Sequence, residues 1–166
     1  MKPTVVPDID VRVVQLPPMR VVAVRAVSAQ PERDAWARLK PWAEARGWLR
    51  DPTAHPVYGF NNPAPLPGWT AYGYELWIGA APDTAPEENF EVKDFAGGCY
   101  AVTHCKLLGD PHGRVQDVWR ALWESVQNGR YRWRYDQELE RPVDPCARPE
   151  DMVLELYLPV EDLQPA

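Results

Sequence analysis

Hydrophobic and polar residues alternate with a period of two in several short stretches and with a helical period in two longer ones. Residues 11–16 and 20–27 read as strands on either side of a Pro17-Pro18 turn, the second rich in β-branched side chains. A helix is predicted after Gln30, with Pro31 in its first turn and Glu32 and Asp34 at the positive end of the dipole. Ala35, Trp36, Leu39, Trp42 and Ala43 form its apolar stripe, and Gly47 is its stop. Pro41 is expected to kink this helix or end it early. Strands follow at 57–61 and 71–80, separated by a proline-rich loop in which Asn61 and Asn62 suit a turn.

The second half repeats this order. Residues 90–95 and 99–107 are expected strands around Ala96-Gly97-Gly98. A helix follows from about Gly113 to Asn128, with Val115, Val118, Trp119, Leu122 and Val126 on one face and Gly129 as cap. A weak strand at 139–143 precedes a strong one at 152–158, which Pro159 is expected to stop. Gly73-Tyr74-Glu75-Leu76-Trp77-Ile78 aligns with Val153-Leu154-Glu155-Leu156-Tyr157-Leu158, and Asp34-Ala35-Trp36 with Asp117-Val118-Trp119. Leu16 and Val21 align with Phe95 and Tyr100 across the matching turns. The expectation is one α+β domain over 1–166, built from two β-β-α-β-β copies at about 9–80 and 89–162, each burying the apolar face of an antiparallel sheet under its helix.

The repeat draws attention to two carboxylates. Strand alternation puts Tyr72, Tyr74, Leu76 and Ile78 on one face and Gly73, Glu75 and Trp77 on the other; Glu155 and Tyr157 take the corresponding face of the last strand. If the halves are related by a pseudo-two-fold axis, Glu75 and Glu155 approach a shared cleft walled by Trp77 and Tyr157. A partly desolvated carboxylate resists ionisation unless a cation or hydrogen-bond donors compensate it. A cationic amphiphile offers that compensation, and aromatic faces add cation–π attraction. A carboxylate with a raised pKa instead serves as general base on a water, with Tyr100 as a candidate general acid. The plain alternative is a glutamate on an exposed face, paired with a neighbouring Arg or Lys. Trp36 and Trp119 are expected in the core, whereas Trp42 and Trp123 are placed nearer the helix edges, where they overhang a cleft. Catalytic candidates are thus Glu75, Glu155 and Tyr100; ligand-binding candidates are Glu75, Trp77, Tyr157, Trp123 and Trp42.

Composition narrows the partners. The 166 residues carry a formal net charge of -6 with no basic block, a poor match to nucleic acid. No apolar run reaches the roughly 20 residues of a membrane span, and the first residues lack a signal-peptide core. Eight Trp and seven Tyr against three Phe give an aromatic supply with polar handles, suited to surfaces where aromatic rings meet ligand. Cys99 and Cys105 share strand parity roughly 20 Å apart, too far for a disulfide, and Cys146 can pair with only one of them. A reduced, cytoplasmic setting is the simplest reading. His104 has only the adjacent Cys105 beside it, and strand neighbours point apart, so no metal and no cofactor are expected; His55 and His112 read as surface residues.

The ordered segments VRVVQLPPMRVVAVRAV, VYGFNNPAP, YGYELWI, FEVKDFAGGCYAVTHC and VLELYLPV resemble the GyrI-like small-molecule-binding domain, the effector-binding domain of bacterial AraC-type and MerR-type regulators. The resemblance extends from about residue 9 to 162. It implies duplicated β-β-α-β-β units forming a curved antiparallel sheet with two helices and a central ligand cleft. It also implies binding of hydrophobic, cationic, drug-like molecules (multidrug binding) through an acidic residue among aromatics, first Glu75 and then Glu155. Some stand-alone relatives are hydrolases that open the cyclopropane of alkylating natural products, with a Glu-activated water, which leaves an enzyme as the second reading. About ten residues precede the first strand, fewer than a helix-turn-helix requires, so a stand-alone member is expected. A module that inhibits a protein partner is the third reading.

Overall fold

The computed structural model describes residues 7–164. The segment before residue 7, read above for a signal peptide, and the His112 side chain lie outside the described residues. The elements are β1 (Arg12–Leu16), β2 (Met19–Ser28), α1 (Pro31–Ala45), β3 (Val57–Asn61), β4 (Tyr72–Ala80), β5 (Glu91–Phe95), β6 (Gly98–Lys106), α2 (Pro111–Gln127), β7 (Tyr131–Trp133), β8 (Leu139–Pro142) and β9 (Val153–Asp162). Single 3-10 turns occupy Trp48–Arg50 and Pro149–Asp151. Every strand pairing described below is antiparallel, so the fold is of the α+β class expected.

The chain divides into two compact units. One is Pro17–Gly97, with strand order β3-β4-β2-β5. Its α1 lays Ala35, Leu39 and Ala43 on the sheet face formed by Val22, Val24, Val57, Leu76 and Ile78. Those helix positions follow an i, i+4, i+8 spacing, which puts them on one stripe. Pro41 does not end α1, which continues to Ala45. Proline forfeits one intrahelical bond, but Ala35, Leu39 and Ala43 are all fully buried, and their packing holds the helix together through it.

The other unit joins the chain through Leu16 to the chain from Gly98 onward, with order β1-β6-β9-β8 and β7 added on β9. Asp110 caps α2 by accepting from the Gly113 amide, and Val118, Leu122 and Val126 cover Ala101, Cys105, Leu156 and Leu158. Strand β9 runs through Pro159 to Asp162, against the expected stop. Along one edge of β9, β8 pairs Leu154–Tyr157 and β7 pairs Val160–Asp162, so Pro159 falls in the gap where no N–H is needed. Its carbonyl accepts from the Arg134 amide at 2.9 Å. β7 escaped the sequence reading because three residues that alternate aromatic with arginine carry no apolar period.

In both units one sheet face is closed by a helix and the other carries a glutamate. Trp36 and Trp119, expected in the core, are half-buried at its margins.

Candidate functional site

Glu75 lies at the middle of β4, on the face turned away from α1, with Arg25 of β2 and Phe60 of β3 as its cross-strand partners. Its side chain is only 3% exposed. Three donors converge on the carboxylate: Trp77 Nε1 reaches Oε1 at 2.8 Å, Lys93 Nζ reaches Oε1 at 2.5 Å, and Asn62 Nδ2 reaches Oε2 at 2.9 Å. Burial pushes the carboxyl up, yet the hydrogen bonds from Lys93, Trp77 and Asn62, with the Lys93 charge, outweigh it and hold the carboxyl below its ordinary value of 4.5. Glu75 is therefore an anion at neutral pH, as a buried carboxylate with such partners must be.

Each donor has a structural origin. Trp77 sits two residues along β4, so it shares the face of Glu75, wedged between Phe60 (ring centroids 4.9 Å apart) and Phe95 (5.4 Å). Asn62 follows β3 and is tied to β4 by its own amide on the Gly73 carbonyl and by the Gly73 amide on the Pro63 carbonyl, both 2.8 Å. That close approach requires glycine, since a Cβ on Gly73 would stand 1.8 Å from the Asn62 oxygen. Lys93 comes from the edge strand β5, on the same face as Glu91 and Phe95. A cavity of about 430 Å³ opens beside this group, lined among others by Arg25, Arg38, Asn62, Glu75, Glu91 and Lys93.

The second glutamate has a different setting. Glu155 of β9 is 10% exposed at its side chain and lies opposite His104 of β6 and Arg141 of β8. The Arg12 guanidinium pairs with Oε2, His104 Nε2 is 3.7 Å from the same oxygen, and Arg141 Nη1 is 4.0 Å from Oε1. The Tyr157 hydroxyl donates to Oε1 at 3.3 Å. Tyr100 is fully buried, donates its hydroxyl to the Gln137 carbonyl at 3.2 Å, and packs edge-on to Tyr157 at 6.1 Å. Burial, reinforced by the Asp136 charge, pushes its phenol up to about 12.

The structure thus brings Trp77 to Glu75, and brings Tyr157 to Glu155 with Tyr100 edge-on to Tyr157. Trp42 and Trp123 are placed elsewhere, against the helix-covered cores. Trp42 stacks on Phe90 at 4.8 Å and donates to Glu87, while Trp123 packs against Trp133 at 5.7 Å. Sequence reasoning missed Lys93, Arg12 and Arg141 entirely and gave Asn62 only a turn. The available signal was strand parity, which sets Lys93 on the Glu75 face once β5 is paired with β2. His55, read as a surface residue, is half-buried, stacked on Trp48 at 4.4 Å with Nδ1 2.7 Å from the Gly79 carbonyl. No cluster of three or more metal-ligating side chains occurs among the described residues, and none of their helices is long and apolar enough to cross a membrane.

Residues 12–160 match the family of integron-associated effector binding proteins, Cass2. The chain belongs to that family. It is a GyrI-like family, in agreement with the resemblance carried by the strand motifs. No curated protein matches the chain in sequence. Among solved structures, the EcmrR C-terminal domain is similar at 13% identity and TM-score 0.66, over 93% of this chain and 99% of that one. In the EcmrR–DNA complex this chain spans 58% of the EcmrR chain, at 14% identity and TM-score 0.65 over 93% of its own length. A hydrolase encoded by lin2189 from Listeria innocua is similar at 13% identity and TM-score 0.63, over 92% of both chains. SAV2435, solved bound to tetraphenylphosphonium, is similar at 16% identity and TM-score 0.52, over 92% of this chain and 94% of that one. At these identities the likeness is one of fold.

Proposed function

We propose that this protein binds a small hydrophobic molecule bearing a positive charge, and that Glu75 receives the charge. The observation that carries this reading is a carboxylate kept ionised on a buried sheet face beside a cavity, with Trp77 held against it. An ionised group in such a place attracts a cation far more strongly than it would in water. The effector-binding family and the drug-like cation bound by SAV2435, a protein of the same fold, support the reading.

The hydrolytic alternative draws less support. A carboxyl held below its ordinary value is a weak general base, and a phenol pushed up to about 12 is a weak general acid at neutral pH. The Glu155 carboxylate oxygens are already engaged by Arg12 and Arg141, with His104 Nε2 3.7 Å away. The test is a thermal-melting series with arylalkyl cations and uncharged analogues of equal size. Binding raises the melting temperature by mass action, and the cations should give the larger shift. The shift should disappear in Glu75→Gln. A shift that is the same in Glu75→Gln removes the carboxylate from the binding site.

A further inference from the structure

The single negative charge of Glu75 is already matched by Lys93, so a ligand cation has a resident competitor. The other two donors are fixed. Trp77 is buried between Phe60 and Phe95, and Asn62 is anchored to Gly73 through the backbone. Lys93 differs in three respects. It stands on the edge strand of its unit, its side chain is 38% exposed, and its Nζ is also 3.6 Å from the Glu91 carboxylate. Glu91 is two residues away on the same strand face and 77% exposed, so the ammonium has a second acceptor within a short swing.

We propose that Lys93 is a displaceable counter-ion, and that the ligand class is cations bearing N–H, such as protonated amines and amidinium groups. Resting on the binding role proposed above, the mechanism is an exchange: the ligand cation takes the place of the Lys93 ammonium on Glu75 Oε1, and Lys93 turns to Glu91. When Lys93 leaves, Oε1 loses an N–H donor on a carboxylate whose side chain is only 3% exposed. A cation with an N–H restores that bond, whereas a fully alkylated onium leaves the oxygen short of a donor. Arg25 also lines the cavity and has no ion-pair partner among the described residues, so a second positive charge on the ligand is repelled. The favoured ligand is therefore a monocation.

Isothermal titration with 4-phenylbenzylammonium and its N,N,N-trimethyl analogue tests this, because the two probes share their ring system and charge. The unaltered protein should bind the ammonium about tenfold tighter or more, the size of one charge-assisted hydrogen bond. Lys93→Met should tighten both probes by removing the competitor. Glu91→Gln should weaken both several-fold in the unaltered background and have no effect in the Lys93→Met background, the signature of two residues acting on one step. Glu91 is exposed, so its variant reads the exchange even where Lys93→Met is poorly folded. Equal affinities for the two probes, or a Lys93→Met protein that binds no more tightly, overturn the counter-ion role. If binding is lost in Glu75→Gln yet Lys93→Met changes nothing, only this inference falls; if neither probe binds any form, the binding role falls with it.

Discussion

At the scale of single residues, the most informative group is the Glu75 carboxyl. Its value in the folded chain is depressed below the ordinary 4.5 by Lys93, Trp77 and Asn62 against the opposing effect of burial. A depressed acid contributes stability that is fully present above its unfolded value and is lost as pH falls through its folded value. Urea denaturation at pH 7, 5 and 3 should therefore show a loss toward low pH in the unaltered protein that is smaller in Glu75→Gln. At pH 7 the same substitution should cost about 1–3 kcal/mol, since charged hydrogen bonds to a buried group are replaced by neutral ones. Tyr100→Phe removes the hydroxyl, with its bond to the Gln137 carbonyl and its hydrogen bond with Arg134, and keeps the buried ring, so its expected cost is about 0.5–1.5 kcal/mol, with probe affinity unchanged. Strand alternation alone places Glu75 beside Trp77 and Glu155 beside Tyr157, because those pairs are separated by two residues on one strand. Lys93 and Arg12 were not legible in the same way. Each comes from a strand distant in sequence, and no local pattern fixes which cation a register will set beside a carboxylate.

At the scale of elements, α1 and β4 hold the site in position. Pro41 is exposed within α1, and Pro41→Ala should restore a helical N–H and raise stability by about 1–3 kcal/mol in chemical denaturation, the gain tempered by a freer unfolded chain. Gly73→Ala has the opposite sign. Its Cβ would meet the Asn62 carbonyl at 1.8 Å, a backbone atom that cannot swing aside. The loop must move, at a cost of about 1–3 kcal/mol or more, and Asn62 is drawn away from Glu75. Calorimetry should show the lost stability, and titration with the ammonium probe should show weaker binding than in the unaltered protein. The periods of the two helices and the long strands were readable because each buries one stripe or one face. The two prolines misled for a shared reason: α1 passes Pro41 because packing outweighs one lost bond, and β9 passes Pro159 because its partners on one edge leave a gap there.

At the scale of the whole molecule, the compact units do not coincide with the sequence repeats at about 9–80 and 89–162. β1 lies before the Pro17-Pro18 turn yet pairs with β6, and β5 lies after the loop at 81–88 yet pairs with β2. A fragment spanning 17–97 retains all four strands of its sheet and α1, whereas one spanning 9–80 lacks β5 and carries β1 with no β6. The 17–97 fragment should show the sharper thermal transition by circular dichroism, and 9–80 the broader one with a greater tendency to aggregate through its unpaired strands.

The exchanged edge strands also supply the charges. Lys93 of β5 neutralises Glu75, and Arg12 of β1 pairs with Glu155. Cut at the repeat boundary, each half would therefore lose a cation from its carboxylate, Lys93 from Glu75 and Arg12 from Glu155, although Arg141 stays with Glu155. A chain made of one repeat alone could recover the missing edge strand, and the cation it carries, by lending its own to a second copy and borrowing one in return.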